Sequence, residues 1–248
     1  MSHRIPTILP DAVRHYLRVY VQPTMRCVAC GKEVSAQKVF MDAAGQAACR
    51  EHNLRRCYSC GRFMMPEGVH LPGYEKVCAS CARTMSGAKV QTLTHVVQQH
   101  LVNMGFVIPA CKVTCLPAAE MKRRHANMMG IAPLGMAMND SEPYSIDVMA
   151  QQCRAGIIRT IAHEMMHLWL FEHECKAPKV YAEGFCNLCA ALVLREFEGE
   201  DVLFHLGNMM EDKNQDYGLG FRRLLSVYYN FGLNAVVAAM REYMPACE

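Results

Sequence analysis

Ile161-Ala162-His163-Glu164-Met165-Met166-His167-Leu168-Trp169-Leu170 is the stretch on which the reading of this chain turns. Its residues are apolar apart from His163, Glu164 and His167, and Ile157 and Ile158 extend the apolar character upstream. Apolar residues on every side predict a largely buried helix. His163 and His167 are four residues apart, so they project from one face, about 6 Å apart along the axis. Two imidazoles so placed can share one zinc ion, and Glu164 can face a zinc-bound water and take its proton. The plain alternative is a solvated face or a satisfied core. The apolar flanks argue against it, because buried charge needs a partner or a metal. A catalytic zinc takes three protein ligands and keeps one position open, so the pattern asks for a third ligand.

Fifteen residues separate His167 from Glu183-Gly184, which opens a second apolar stretch, Phe185 to Leu194. A glutamate near the start of a following helix is the third ligand in the gluzincin class of zinc peptidases. The arrangement resembles that class, with Glu183 in the ligand's place. Glu172 and Glu174 lie too close behind His167 to reach back. Asn187 follows Glu183 by one turn, where many gluzincins carry an aspartate bonded to the first histidine ligand. An asparagine carbonyl can do the same more weakly, and a plain core amide is the alternative. Cys186 and Cys189 share Cys-x-x-Cys spacing inside a helix, which points to buried thiols rather than a third structural zinc.

Length and composition bound the rest. A chain of 248 residues, 52% hydrophobic, holds one sizeable domain plus a small module. No apolar run approaches a membrane span, and Met1–Pro10 lacks a signal-peptide pattern. Secretion is not supported. The net charge of +3 neither demands nor excludes nucleic acid. Fourteen cysteines without a signal peptide favour zinc over disulfides, and a cytoplasmic, reducing location is expected.

Residues 26–82 hold the cysteine module. Its pairs are Cys27/Cys30, Cys49/His52, Cys57/Cys60 and Cys78/Cys81, each with two residues between its members. That spacing lets a tight turn aim both ligands at one metal. Gly31 and Gly61 directly follow Cys30 and Cys60, where a knuckle turns sharply. The gaps of 18 residues from Cys30 to Cys49 and 17 from Cys60 to Cys78 suggest two consecutive structural zinc units. The first is Cys27, Cys30, Cys49 and His52; the second is Cys57, Cys60, Cys78 and Cys81. His70 lacks a knuckle partner and reads as a loop residue. The module resembles a LIM domain, with a reversed Cys49-x-x-His52 knuckle and a longer linker to Cys57. Such closed coordination does no chemistry, so the module is expected to bind partners or brace its neighbour.

The segment 1–25 shows no chemistry; Asp11 to Val21 is a short helix candidate ended by Pro23. The peptidase-like domain is placed at 86–248. Ser86 to Met104 has helical periodicity, a Ser86 cap and Gly105 as a stop, with His95 and His100 as ordinary helix residues. Cys111–Leu116, Leu134–Met138 and Tyr144–Met149 are strand candidates for a small sheet. In gluzincins an edge strand holds extended substrate by β-augmentation. Lys122-Arg123-Arg124-His125 reads as a solvated loop able to dock an acidic partner or nucleic-acid phosphate, though it lacks the aromatic interleaving of a nucleic-acid surface. Helices are expected from Cys153 to Glu174, Val180 to Glu198, Val202 to Asp212, Gly220 to Phe231 and Leu233 to Met244. The fold class is α+β: a small tandem zinc module, then a mainly helical, gluzincin-type domain with a small sheet.

The ten residues quoted first, Glu183-Gly184-Phe185-Cys186-Asn187 and Tyr217-Gly218-Leu219-Gly220-Phe221-Arg222 together resemble a known family. It comprises the plant LIM-domain, ubiquitin-activated zinc peptidases that limit organ size, and their microbial relatives. The resemblance covers roughly residues 26–244, and the order of module and peptidase is the same. It implies one catalytic and two structural zinc ions and endopeptidase activity on protein substrates. It also implies ubiquitin contact in the plant members, through upstream helices for which this sequence has no room. On this reading His163, His167 and Glu183 hold zinc, Glu164 is the general base, and Tyr217 stabilises the oxyanion, with His205, Tyr228 and Tyr229 as rivals. One competing class is an adaptor whose LIM-like module binds protein partners while the peptidase fold is inhibited or inactive. Another is a zinc-finger nucleic-acid binder using Arg50, Arg55, Arg56 and Arg62, which leaves the His-Glu-x-x-His helix unexplained.

Overall fold

A computed structural model describes residues 24–65, 68–140 and 142–245; the helix candidate at Asp11–Val21 lies outside them. The zinc module is built from three two-stranded antiparallel hairpins. β1 (Thr24–Arg26) pairs with β2 (Glu33–Ser35), β3 (Val39–Met41) with β4 (Ala47–Cys49), and β5 (Val69–His70) with β6 (Lys76–Val77). A single helical turn, α1 (Ala79–Ala82), closes it with Cys78 at its start. Strands this short bury too little to stand alone, and metal ions held by the two groups of cysteine and histidine among them could supply what packing does not. Gly31 and Gly61 take φ of +72° and +70°, a conformation that L side chains rarely adopt, and this is what turns each knuckle. The two units are tied by buried Asp42, whose carboxylate accepts from Gln46 N at 2.8 Å and Phe63 N at 2.9 Å.

The second part opens with α2 (Gly87–Asn103), whose Val90, Val97 and Leu101 are buried at helical spacing. Ser86 Oγ accepts from Lys89 N at its start, and Gly105, at φ +94°, ends it. β7 (Cys111–Leu116), α3 (Ala118–His125), β8 (Gly135–Met138) and β9 (Tyr144–Met149) follow. β9 is central: β7 lies parallel to it, and β8 antiparallel as an edge strand, with Gly135 opposite Val148. The basic cluster is not a loop but the last turn of α3. Glu120 stands three and four residues before Arg123 and Arg124 and pairs with both at 2.6 Å, while Arg124 and His125 reach buried Asp147 on β9.

α4 (Arg154–Glu172) is the centre of the core. Fourteen of its nineteen residues are buried, so it is enclosed rather than amphipathic. Phe106 and Phe185 pack edge-on and tilted against Trp169, with ring centroids 5.3 and 5.7 Å away. α5 (Lys179–Leu194) starts after Pro178 and ends four residues short of Glu198, in a turn at Arg195–Phe197. α6 (Glu200–Glu211), a π-helical turn (Gln215–Leu219), α7 (Gly220–Phe231) and α8 (Leu233–Arg241) complete the chain, α8 stopping short of Met244. No helix among the described residues is long and apolar enough to cross a membrane.

Candidate metal centre

His163 and His167 on α4 and Glu183 in the second turn of α5 converge on one point. His163 Nε2 and His167 Nε2 are 3.1 Å apart, and Glu183 Oε2 lies 3.2 and 3.4 Å from them. Ligand atoms bound about 2.05 Å from a tetrahedral zinc stand about 3.3 Å from one another. The observed triangle is that size. Glu183 Oε2 is buried and has no hydrogen bond among the described residues. An ionised oxygen so placed is costly unless a cation meets it. Burial alone would raise the Glu183 carboxyl; the two facing imidazoles outweigh it and hold it below the usual carboxylate range. The donor set, the spacing and the orphaned oxygen fit a zinc ion.

The surrounding groups orient these ligands. Asn187 Oδ1 lies 3.0 Å from His163 Nδ1, so the ring donates there and Nε2 keeps its lone pair for the metal. Asn187 Nδ2 donates to the Tyr217 carbonyl at 3.2 Å, linking α5 to the π-helical turn. Cys186 and Cys189 are fully buried thiols within α5 and belong to none of the groups that could hold a metal ion among the described residues, as expected of buried thiols rather than a third zinc knuckle. Glu164 is buried under the edge strand, where Ala137 N donates to its Oε2 at 2.9 Å. Gly135 is needed for that approach: a Cβ there would stand 2.5 Å from Thr160 Cγ2 and 2.8 Å from Glu164 Oε1. Nothing in the sequence pattern marks Gly135 as part of the site.

Tyr217 stacks on His163 with ring centroids 6.1 Å apart and 27° between planes. Burial first, then Glu183 and Glu164, push its phenol above the ordinary range, so it stays protonated as a donor. The turn carrying it reaches the site because α5 and α7 touch backbone to backbone. A Cβ on Gly184 would lie 2.4 Å from Gly220 C, and one on Gly220 would lie 1.9 Å from Val180 O. Gly218 is equally confined, 1.9 Å from Asp212 O, and Arg222 donates to the Met210 and Asp212 carbonyls. The other oxyanion candidates lie elsewhere. His205 faces Cys153 at the far end of α4, Tyr228 accepts from Arg195, and Tyr229 is exposed. Glu172 is held by Tyr144 at 3.0 Å.

Two further groups that could hold metal ions sit in the module: Cys27, Cys30, Cys49 and His52, and Cys57, Cys60, Cys78 and Cys81. In each, the first thiol accepts a backbone N–H from the second knuckle, Cys49 N to Cys27 at 3.3 Å and Cys78 N to Cys57 at 3.2 Å. Cys60 and Cys78 sulfurs are 3.8 Å apart, against about 3.8 Å for thiolates 2.3 Å from a tetrahedral zinc. Both quartets are compatible with a LIM-like module. His70, on β5, and His95 are exposed, and His100 packs edge-on against Phe197. The module's arginines are exposed; Arg50 lies over Phe40, Arg56 donates to the Met41 carbonyl, and Arg62 pairs with Glu200 of α6. No family model matches the chain, and neither a curated protein nor a solved structure matches it.

Proposed function

We propose that this chain is a zinc-dependent endopeptidase acting on protein substrates, regulated or docked through its LIM-like module. The observation that carries this reading is the triangle formed by His163 Nε2, His167 Nε2 and the buried Glu183 Oε2, with Glu164 next to His163 on the same helix and held by the edge strand. When bound there, zinc supplies Lewis acidity to a water and to the scissile carbonyl. Glu164 takes a proton from the attacking water as the carbon–oxygen bond forms, and later passes it to the leaving amine as the carbon–nitrogen bond breaks. The Ala137 N–H fixes one Glu164 oxygen and leaves the carboxylate free to accept through the other. Tyr217, protonated, donates to the developing oxyanion. β8 carries no strand partner on its outer side among the described residues, so an extended substrate can pair there.

The test is Glu164→Gln. The variant should fold and bind three zinc ions per chain, yet lose cleavage of an unfolded protein substrate by at least about a thousandfold. Full activity in that variant would remove Glu164 from its role. The second reading is an adaptor with an inhibited peptidase fold. Its support is the half-exposed Phe40 ring under Arg50 on the first zinc unit, a surface of the kind partners use. Activity of the isolated, metal-loaded chain on protein substrates argues against it.

A further inference from the structure

The two zinc units differ in how they join the rest of the molecule. The apolar cluster of the first unit, Cys27, Ala48 and Cys49, takes in Phe63 of the second unit and stays within the module. The cluster of the second unit is shared: Met64, Leu71 and Val77 pack with Leu116, Met121 and Met149 of the peptidase-like part. Polar contacts sharpen this. Ser59 stands between the ligands Cys57 and Cys60, buried, and its Oγ accepts from Cys153 N at 2.7 Å. Cys153 is the cap of α4, and its thiol donates back to the Ser59 carbonyl at 3.1 Å. On the other side, the Tyr74 hydroxyl donates to the Pro133 carbonyl at 2.7 Å, two residues before β8. One zinc unit thus grips both elements between which Glu164 lies: α4, which carries it, and β8, whose Ala137 N–H binds it.

We infer that the second zinc unit is a bracket for the site, with Ser59 and Tyr74 as positioning residues that keep α4 and β8 in register around Glu164. The inference rests on the reading of the site given above, but the bracket is a property of the fold and is measurable without cleavage. A rigid helix moves as a body, so a shift at Cys153 is carried along α4 to Glu164. One zinc ion held by Cys57, Cys60, Cys78 and Cys81 would fix Ser59 in the knuckle and so set the position of the cap. Among the described residues the first unit's apolar cluster stays within the module, which leaves that unit for partner contact.

The experiment is hydrogen–deuterium exchange on the zinc-loaded full chain. Wild type is compared with Ser59→Ala, Tyr74→Phe, the double variant, Ser59→Thr and, as control, Cys30→Ser in the first unit. Amides in 133–138 and 154–164 should exchange about tenfold faster in the double variant, as two hydrogen bonds are lost, while Ser59→Thr stays near wild type. Turnover should fall with KM unchanged. Wild-type exchange in both segments of the double variant overturns the inference. So does equal acceleration by Cys30→Ser. If the double variant fails to fold, Tyr74→Phe, which removes one oxygen atom, carries the test for 133–138 alone. A chain that exchanges as expected but cleaves nothing would sink the peptidase reading and leave the bracket standing.

Discussion

Gly135→Ala is the substitution that interrogates the join between the edge strand and Glu164. A Cβ at Gly135 would lie 2.5 Å from Thr160 Cγ2, 2.7 Å from Glu164 Cγ and 2.8 Å from Glu164 Oε1. Ordinary contacts lie at about 3.5–4.0 Å, so β8 must retreat from α4 by about 1 Å. Two consequences follow. Overpacking of this kind costs about 1–3 kcal/mol of stability. A displacement of about 1 Å between proton acceptor and reacting groups costs about a hundredfold in rate. The two are separable. The three atoms nearest the new methyl group belong to Thr160 and Glu164 and not to His163, His167 or Glu183, so zinc content per chain should be unchanged. Adding Thr160→Ser removes one clashing carbon and should recover part of the stability, but the clash with Glu164 remains and the rate should stay low. The assays are zinc per chain, the thermal midpoint and turnover on an unfolded protein substrate. Wild-type turnover in Gly135→Ala would refute the placement of Glu164 under β8. Lost zinc would show that the strand supports the ligands rather than the base.

Other outcomes follow from the same geometry. Asn187→Ala removes the acceptor 3.0 Å from His163 Nδ1 and should weaken zinc binding by about 10–100-fold, with Asn187→Asp near wild type or tighter, measured by competition with a chelating dye. Burial, with Arg159 nearby, pushes His205 down to about 4, so it is neutral in the folded chain at pH 7. As the pH falls below about 6.5 the unfolded chain takes up that proton first, so stability present above 6.5 is lost towards pH 4, by about 3 kcal/mol in full. Urea midpoints at pH 7.5 and 5, in wild type and His205→Gln, should show a smaller acid loss in the variant; equal losses would contradict the assignment.

Much of this was legible in the sequence, for local reasons. α2 could be placed because its apolar spacing, Ser86 and Gly105 all mark the same helix. The candidate metal ligands could be grouped because paired knuckles and an i, i+4 histidine pair are short-range patterns, and the structure does bring each group together. What was not legible is set by close approach over long distances. Gly184 and Gly220 are far apart in sequence, and only in three dimensions does each prove to leave no room for a methyl group. Gly135, Ser59, Tyr74 and Asp42 likewise carry no periodic signal. The basic run in α3 was misread because its partners, Glu120 and Asp147, turn a patch of charge into a helix face bound to a strand. Tyr217 was placed by its motif, and the physical reason for that placement is the glycine contact that lets α7 lie against α5.

Two buried side-chain atoms among the described residues lack a hydrogen bond, Glu183 Oε2 and His205 Nδ1. An unsatisfied buried polar atom costs about 1–3 kcal/mol, and more when charged, so each needs a reason. The two reasons differ. His205 Nδ1 belongs to a ring that burial keeps neutral, which limits the cost to a missing hydrogen bond, and its other nitrogen faces Cys153 at 3.3 Å. Glu183 has no such escape. The two facing histidines hold its carboxyl below the usual carboxylate range, and their Nε2 atoms stand 3.1 Å apart beside the same oxygen. A divalent cation satisfies all three atoms at once. The three atoms therefore make a group that could hold a metal ion, and binding one would stabilise the fold around them.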